Sequence, residues 1–136
     1  MITQTTSADP RTVMVVEDFD DTRAMLKLVL ERKGYYVLEA ANGQRAVELA
    51  KSQHPRLILM DLSLPVLDGL SATKQIREQS FLRDVLIVAV TAHHGREYRE
   101  KALAAGCDDF VNKPVDFDQL EALLSKFMPI HREHAE

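Results

Sequence analysis

The sequence predicts one α/β domain: a doubly wound five-stranded parallel sheet, (βα)5, with helices on both faces. Three observations point there. Apolar runs of strand length alternate five times with stretches of helical periodicity. Those runs are almost wholly apolar, as befits strands covered on both faces. The chain has 136 residues, a length that suits one domain burying roughly two thirds of its unfolded surface.

The elements follow in order. Thr12 to Val16 reads as a buried strand. Asp20 to Lys33 reads as a helix, with Leu26, Val29, Leu30 and Lys33 at inward spacing and Gly34 as its stop. Val37 to Ala40 is the second strand. Gln44 to Gln53 is the second helix, facing inward with Ala46, Val47 and Ala50. Leu57 to Met60 and then Leu70 to Gln79 form the third pair, the helix carrying Leu70, Thr73 and Ile76. Val85 to Val90 is followed by a polar helix from Arg96 to Ala105, whose apolar stripe is only Tyr98, Ala102 and Ala105. Asp109 to Asn112 and Phe117 to Met128 complete the alternation. The last helix presents Phe117, Leu120, Leu124 and Phe127, with Asp116 as its N-cap. Residues 1–10 are expected to be a flexible lead, 11–128 the domain, and 129–136 a tail.

Composition narrows the function. Seventeen basic and 21 acidic side chains give a formal charge of −4, which does not favour nucleic acid or an anionic membrane as a partner. No apolar run approaches the ~18 residues of a membrane span, and the N-terminus lacks a secretory signal. The one cysteine, Cys107, excludes an internal disulfide and suits a packing role. A cytoplasmic location is the simplest setting.

Doubly wound sheets bind ligands beyond the carboxyl ends of their strands. Those ends carry Glu17 and Asp18, then Asp61, Thr91 and Lys113. Taken singly, each has an ordinary reading: capping acids, a loop acid, a turn residue, a solvated lysine. Together they bring three carboxylates, a hydroxyl and an ammonium to one edge. Clustered carboxylates repel one another unless a hard cation joins them, and Mg²⁺ prefers such oxygen donors. With a cation to neutralise charge on an incoming phosphoryl group, Asp61 is placed as a nucleophile that forms an acyl phosphate. Thr91 can donate a hydrogen bond to a phosphoryl oxygen, and Lys113 supplies a point charge.

The motifs resemble the receiver domain of two-component response regulators, from about Thr12 to Met128. They are Val-Val-Glu17-Asp18-Phe19; Met60-Asp61-Leu-Ser-Leu-Pro65-Val-Leu-Asp68-Gly69; Val90-Thr91-Ala92; and Gly106-Cys-Asp-Asp109-Phe110-Val-Asn-Lys113-Pro114. The resemblance implies the flavodoxin-like strand order 2-1-3-4-5, for which a chemotaxis receiver is a standing example. It implies Asp61 as phosphoacceptor, with Mg²⁺ (or Mn²⁺ in its place) held by Glu17, Asp18, Asp61 and the backbone carbonyl of Ser63. It also implies a cis Lys113–Pro114 bond, Thr91 and Phe110 as a coupled switch pair, and Ser63 and His93 as positions that tune dephosphorylation. Implied partners are a histidine kinase or histidine phosphotransfer protein, and a downstream protein read through the face of the fourth helix, fifth strand and fifth helix. The chain itself is expected to be a monomer or weak dimer and a switch, not a standalone enzyme. Leu64 replaces the usual methionine, a volume-preserving change, and Phe110 lacks the hydroxyl of the commoner tyrosine.

Three other readings compete. A receiver fragment of a larger regulator or hybrid kinase would look the same. Asp18-Phe-Asp20-Asp-Thr22 resembles the opening of haloacid-dehalogenase-type phosphatases, with Asp18 as nucleophile; that reading leaves the Asp61 motif unexplained and puts Lys113 on the wrong side of Asp108 and Asp109. A flavodoxin-like cofactor site would need a hydroxyl- and glycine-rich first loop, where this chain has acids, and there is no phosphate-binding G-x-x-x-x-G-K-[ST] loop. His93-His94 reads as a solvated loop pair, and His131 and His134 as tail residues without further ligands.

Overall fold

The computed structural model describes residues 10–93 and 95–128. The order is β1 (Thr12–Val16), α1 (Asp20–Arg32), β2 (Tyr36–Ala40), α2 (Gly43–Gln53), β3 (Leu57–Asp61), α3 (Gly69–Arg77), a short 3₁₀ turn (Ser80–Leu82), β4 (Leu86–Thr91), α4 (Arg96–Ala105), β5 (Asp109–Asn112) and α5 (Phe117–Phe127). All four strand pairings are parallel, and the sheet order is β2-β1-β3-β4-β5. The 3₁₀ turn was not foreseen, and Asp61 and Thr91 prove to be the last residues of β3 and β4 rather than the first beyond them. The residues expected as lead and tail lie outside the described residues, apart from Pro10, as do His94, His131 and His134.

Strand alternation divides the core in two. Val13, Val15, Leu57, Leu59, Val88, Val90 and Val111 pack with Leu26 and Leu30 of α1 and Leu120 and Leu124 of α5. Met14, Val16, Ile58, Met60, Ile87 and Ala89 face α2, α3 and α4, where Ala46, Val47, Ala50, Ala72, Ile76 and Ala102 meet them. The central strands are sealed, but β2 is an edge strand with Tyr36 and Glu39 exposed. The expectation of strands covered on both faces holds in the middle of the sheet and lapses at that edge.

Capping is local. Asn42 accepts from the Arg45 N–H, Asp68 from the Ser71 N–H, and Asp116 from the N–H groups of Asp118 and Gln119. Gly34 follows α1 at φ 100°. Helix α4 is held differently. Gly95 gives its N-terminus no side-chain cap, and within it only Ala102 and Ala105 are buried. Its C-terminal end meets Arg77 of α3, whose guanidinium donates to the carbonyl oxygens of Gly106 (2.9 Å) and Val85 (2.7 Å) and to Asp108 (2.8 Å). Asp108 also accepts from the Ile87 N–H, so one ion pair joins α3, β4 and the α4–β5 turn. Cys107 is buried beside Thr73, and burial pushes its thiol pKa up. Among the described residues no helix is long and apolar enough to cross a membrane.

Candidate functional site

The parallel sheet delivers every strand's C-terminus to one edge. Glu17, just past β1, and Asp61, ending β3, are both buried, at 3% and 2% exposure. Asp18 is exposed. A carboxylate oxygen from each of Glu17, Asp18 and Asp61 lies within 4.8 Å of the others. Lys113, just past β5, reaches across with Nζ 2.8 Å from Asp61 Oδ2 and 3.4 Å from Glu17 Oε1. The other Asp61 oxygen, Oδ1, accepts from the Ser63 N–H at 2.9 Å. The Lys113–Pro114 peptide is cis.

The electrostatics follow from burial. Burial raises the Glu17 pKa and the Asp61 charge adds to it, against the opposing Phe19 N–H and Lys113. Burial pulls the Lys113 ammonium the other way, but the hydrogen bond and charge of Asp61, with the Glu17 charge, outweigh it and leave its pKa raised. Three carboxylates face one ammonium, a formal charge of −2. An all-oxygen donor set with that charge and spacing fits a hard divalent cation.

The remaining residues singled out in the sequence border this cluster. Thr91 is buried, and its Oγ1 accepts from the His93 N–H at 3.0 Å. The Lys113 N–H bonds the Thr91 carbonyl at 2.7 Å, tying the ends of β4 and β5. The His93 ring stacks on Tyr98, with centroids 3.9 Å apart, and the His93 carbonyl accepts from Asn112. Phe110 is half-buried on β5 with the Arg99 guanidinium 4.9 Å over its ring. So Glu17, Asp18, Asp61 and Lys113 form one cluster, with Ser63 bonded to it; Thr91 is tied to that cluster through the Lys113 N–H, while His93 and Phe110 meet Tyr98 and Arg99 of α4.

Some residues that shape the site were missed in the sequence. A Cβ at Gly69 would strike the Asp61 carbonyl oxygen, so the close approach of α3 to β3 requires glycine there. Val66 sits at φ 69°, between a Pro65 carbonyl and a Leu67 N–H that bond at 2.7 Å. That is a rare backbone for a β-branched residue. Arg23 of α1 bonds the Glu17 carbonyl. The Asp68-Gly69 pair was a signal for the glycine; a lone arginine in a charged helix is no signal at all. Beside the cluster, a groove of about 610 Å³ is lined by Met25, Leu26, Val115 and Phe117 as well as Glu17 and Lys113.

Residues 13–125 match the model of the response regulator receiver domain. The chain belongs to that family. As a receiver domain, it is 31% identical over 119 residues to the polar-differentiation response regulator DivK of Brucella anthropi, covering 88% of this chain and 97% of DivK. The receiver domain of the sensor histidine kinase PA1611 from Pseudomonas aeruginosa, solved with a magnesium ion coordinated in its active-site cleft, superposes with a TM-score of 0.80 at 38% identity, covering 86% of this chain and 96% of that one. The receiver domain of Ssk1 from Saccharomyces cerevisiae, solved with the phosphotransfer protein Ypd1, gives a TM-score of 0.82 at 34% identity, with 91% of each chain covered. Family and fold agree with the motif reading, and the phosphatase alternative centred on Asp18 loses its ground.

Proposed function

We propose that this receiver domain takes a phosphoryl group onto Asp61 from a phosphohistidine of a histidine kinase or phosphotransfer protein. The observation that carries the reading is the pairing of buried Asp61 with Lys113 at 2.8 Å, beside Glu17 and Asp18. An Asp61 carboxylate oxygen attacks phosphorus, the P–N bond breaks, and the imidazole leaves with its electron pair and takes a proton from solvent. The product is an acyl phosphate on Asp61. Glu17, Asp18, Asp61 and the Ser63 carbonyl would hold Mg²⁺, which supplies charge neutralisation to the transferring group; Mn²⁺ has the same taste for oxygen. Lys113 moves from pairing carboxylates to pairing a phosphoryl oxygen. The apolar groove and the exposed Phe19 beside the site suit a protein donor.

The new group carries about −1.5 to −2 charges. Thr91 answers by turning its hydroxyl toward it, and Phe110 follows inward. The surface of α4, β5 and α5 then changes for a downstream protein, and the weakly rooted N-terminal half of α4 makes that change inexpensive. Ser63 and His93 flank the phosphoryl position and set how readily water reaches it. The domain acts as a cytoplasmic switch and not as a standalone enzyme. Incubation with a small-molecule phosphodonor tests the reading: Mg²⁺ should support labelling and a chelator should abolish it. Labelling at full rate without a divalent cation would overturn it.

A further inference from the structure

Asp18 is the exposed member of the acidic triad, so packing does not fix its side chain. Its main chain is fixed from both sides. The Glu17 N–H bonds the Ala40 carbonyl at 3.0 Å. The Phe19 N–H bonds Glu17 Oε2 at 3.0 Å. Between them, the Glu17 carbonyl accepts from Arg23 Nη1 at 2.8 Å. That oxygen belongs to the same planar peptide as the Asp18 amide. Holding it sets the plane from which the Asp18 side chain departs.

The Arg23 guanidinium is itself aimed. Nη2 pairs with Asp20 Oδ1 at 2.7 Å, and Nε with Glu39 Oε1 of β2 at 3.3 Å. Its side chain is 17% exposed. The Arg23 N–H makes the first intrahelical bond of α1, to the carbonyl of its N-cap residue Phe19 at 2.9 Å, so Arg23 sits in the first turn, one turn beyond the loop. A planar fork with several fixed donors can satisfy three acceptors at once; a lysine can offer only a point charge.

We propose that Arg23 is a positioning residue for the divalent-cation site, acting through the Glu17–Asp18 peptide. The proposal rests on the cation-site reading above and adds a residue outside the ligand set. Partners that orient ligands typically change metal affinity by about 10–100-fold when removed.

Titration calorimetry with MgCl₂ alone, on the intact protein without phosphodonor, tests it. Arg23→Met should weaken Mg²⁺ binding at least ~10-fold, and Arg23→Lys should give an intermediate loss. Glu39→Gln loosens the tie to β2 but leaves the bond to the Glu17 carbonyl. It should lower the melting temperature with less than about a twofold change in Mg²⁺ affinity. Equal Mg²⁺ affinity in wild type and Arg23→Met overturns the proposal and makes Arg23 a stitch between α1 and β2. If Arg23→Met does not fold, unchanged affinity in Arg23→Lys overturns it equally. A wild-type protein that binds no Mg²⁺ is a different outcome and overturns the cation-site reading itself.

Discussion

Lys113→Met should destabilise the metal-free protein strongly, and Mg²⁺ should return most of the loss. The ammonium sits 2.8 Å from Asp61 and 3.4 Å from Glu17, whose side chains are only 3% and 5% exposed. At an effective dielectric near 20, those separations correspond to gross attractions of about 6 and 5 kcal/mol. Much of that is offset by the cost of desolvating the ammonium, itself 30% exposed. Removing one partner of a buried ion pair leaves a net cost of about 3 kcal/mol. For a domain of this length that is a fall of roughly 10 °C in melting temperature. Mg²⁺ supplies the same missing charge, so the ammonium and the cation compete, and the variant should bind Mg²⁺ more tightly. Recovery of about 2 kcal/mol would correspond to roughly 30-fold tighter binding. The assay is thermal unfolding of both proteins in chelator and in saturating Mg²⁺. A gap between them that is the same in both conditions would show that Lys113 and the cation do not share the carboxylates.

Three further outcomes follow from named contacts. Asp68→Ala should cost about 1 kcal/mol at neutral pH by uncapping α3. The Ser71 N–H holds the Asp68 pKa below its ordinary 3.8, so this stability is present above that value and fades as pH falls through the lower folded one. Urea unfolding at pH 7 and near pH 3 should show the gap to wild type shrinking in acid, and Asp68→Asn should keep the cap without the pH dependence. Gly69→Ala would drive a methyl into the Asp61 carbonyl oxygen; expect a loss of about 1–3 kcal/mol by denaturant unfolding and slower labelling of Asp61. Arg77→Met strips donors from the carbonyls of Gly106 and Val85 and orphans Asp108; a loss of about 2–3 kcal/mol is expected, with faster amide exchange at the C-terminal end of α4. A loss under about 0.5 kcal/mol would show that the clasp is solvated in practice.

The fold was legible because burial writes itself as periodicity. The runs Val13–Val16 and Ile58–Met60 are sealed on both faces, and their all-apolar composition followed from that. The edge strand β2 was read one residue short, because Tyr36 faces solvent and its composition carries little burial signal. The acids and the lysine of the site were legible because each stands at a strand end, where the topology alone places them together. Arg23, Arg77 and Val66 were not. Their roles depend on carbonyl oxygens and backbone angles contributed by distant or featureless segments, and no residue type announces a carbonyl. The 3₁₀ turn at Ser80–Leu82 escaped for a similar reason: three residues are too few for any periodicity.

Everything proposed for this domain turns on Asp61 receiving the phosphoryl group. Peptide mapping by mass spectrometry, after exposure to a small-molecule phosphodonor and Mg²⁺, tests it most directly. A single phosphoryl adduct on Asp61 is expected, lost in Asp61→Asn. An adduct on Asp18, or one that persists undiminished in Asp61→Asn, would contradict it.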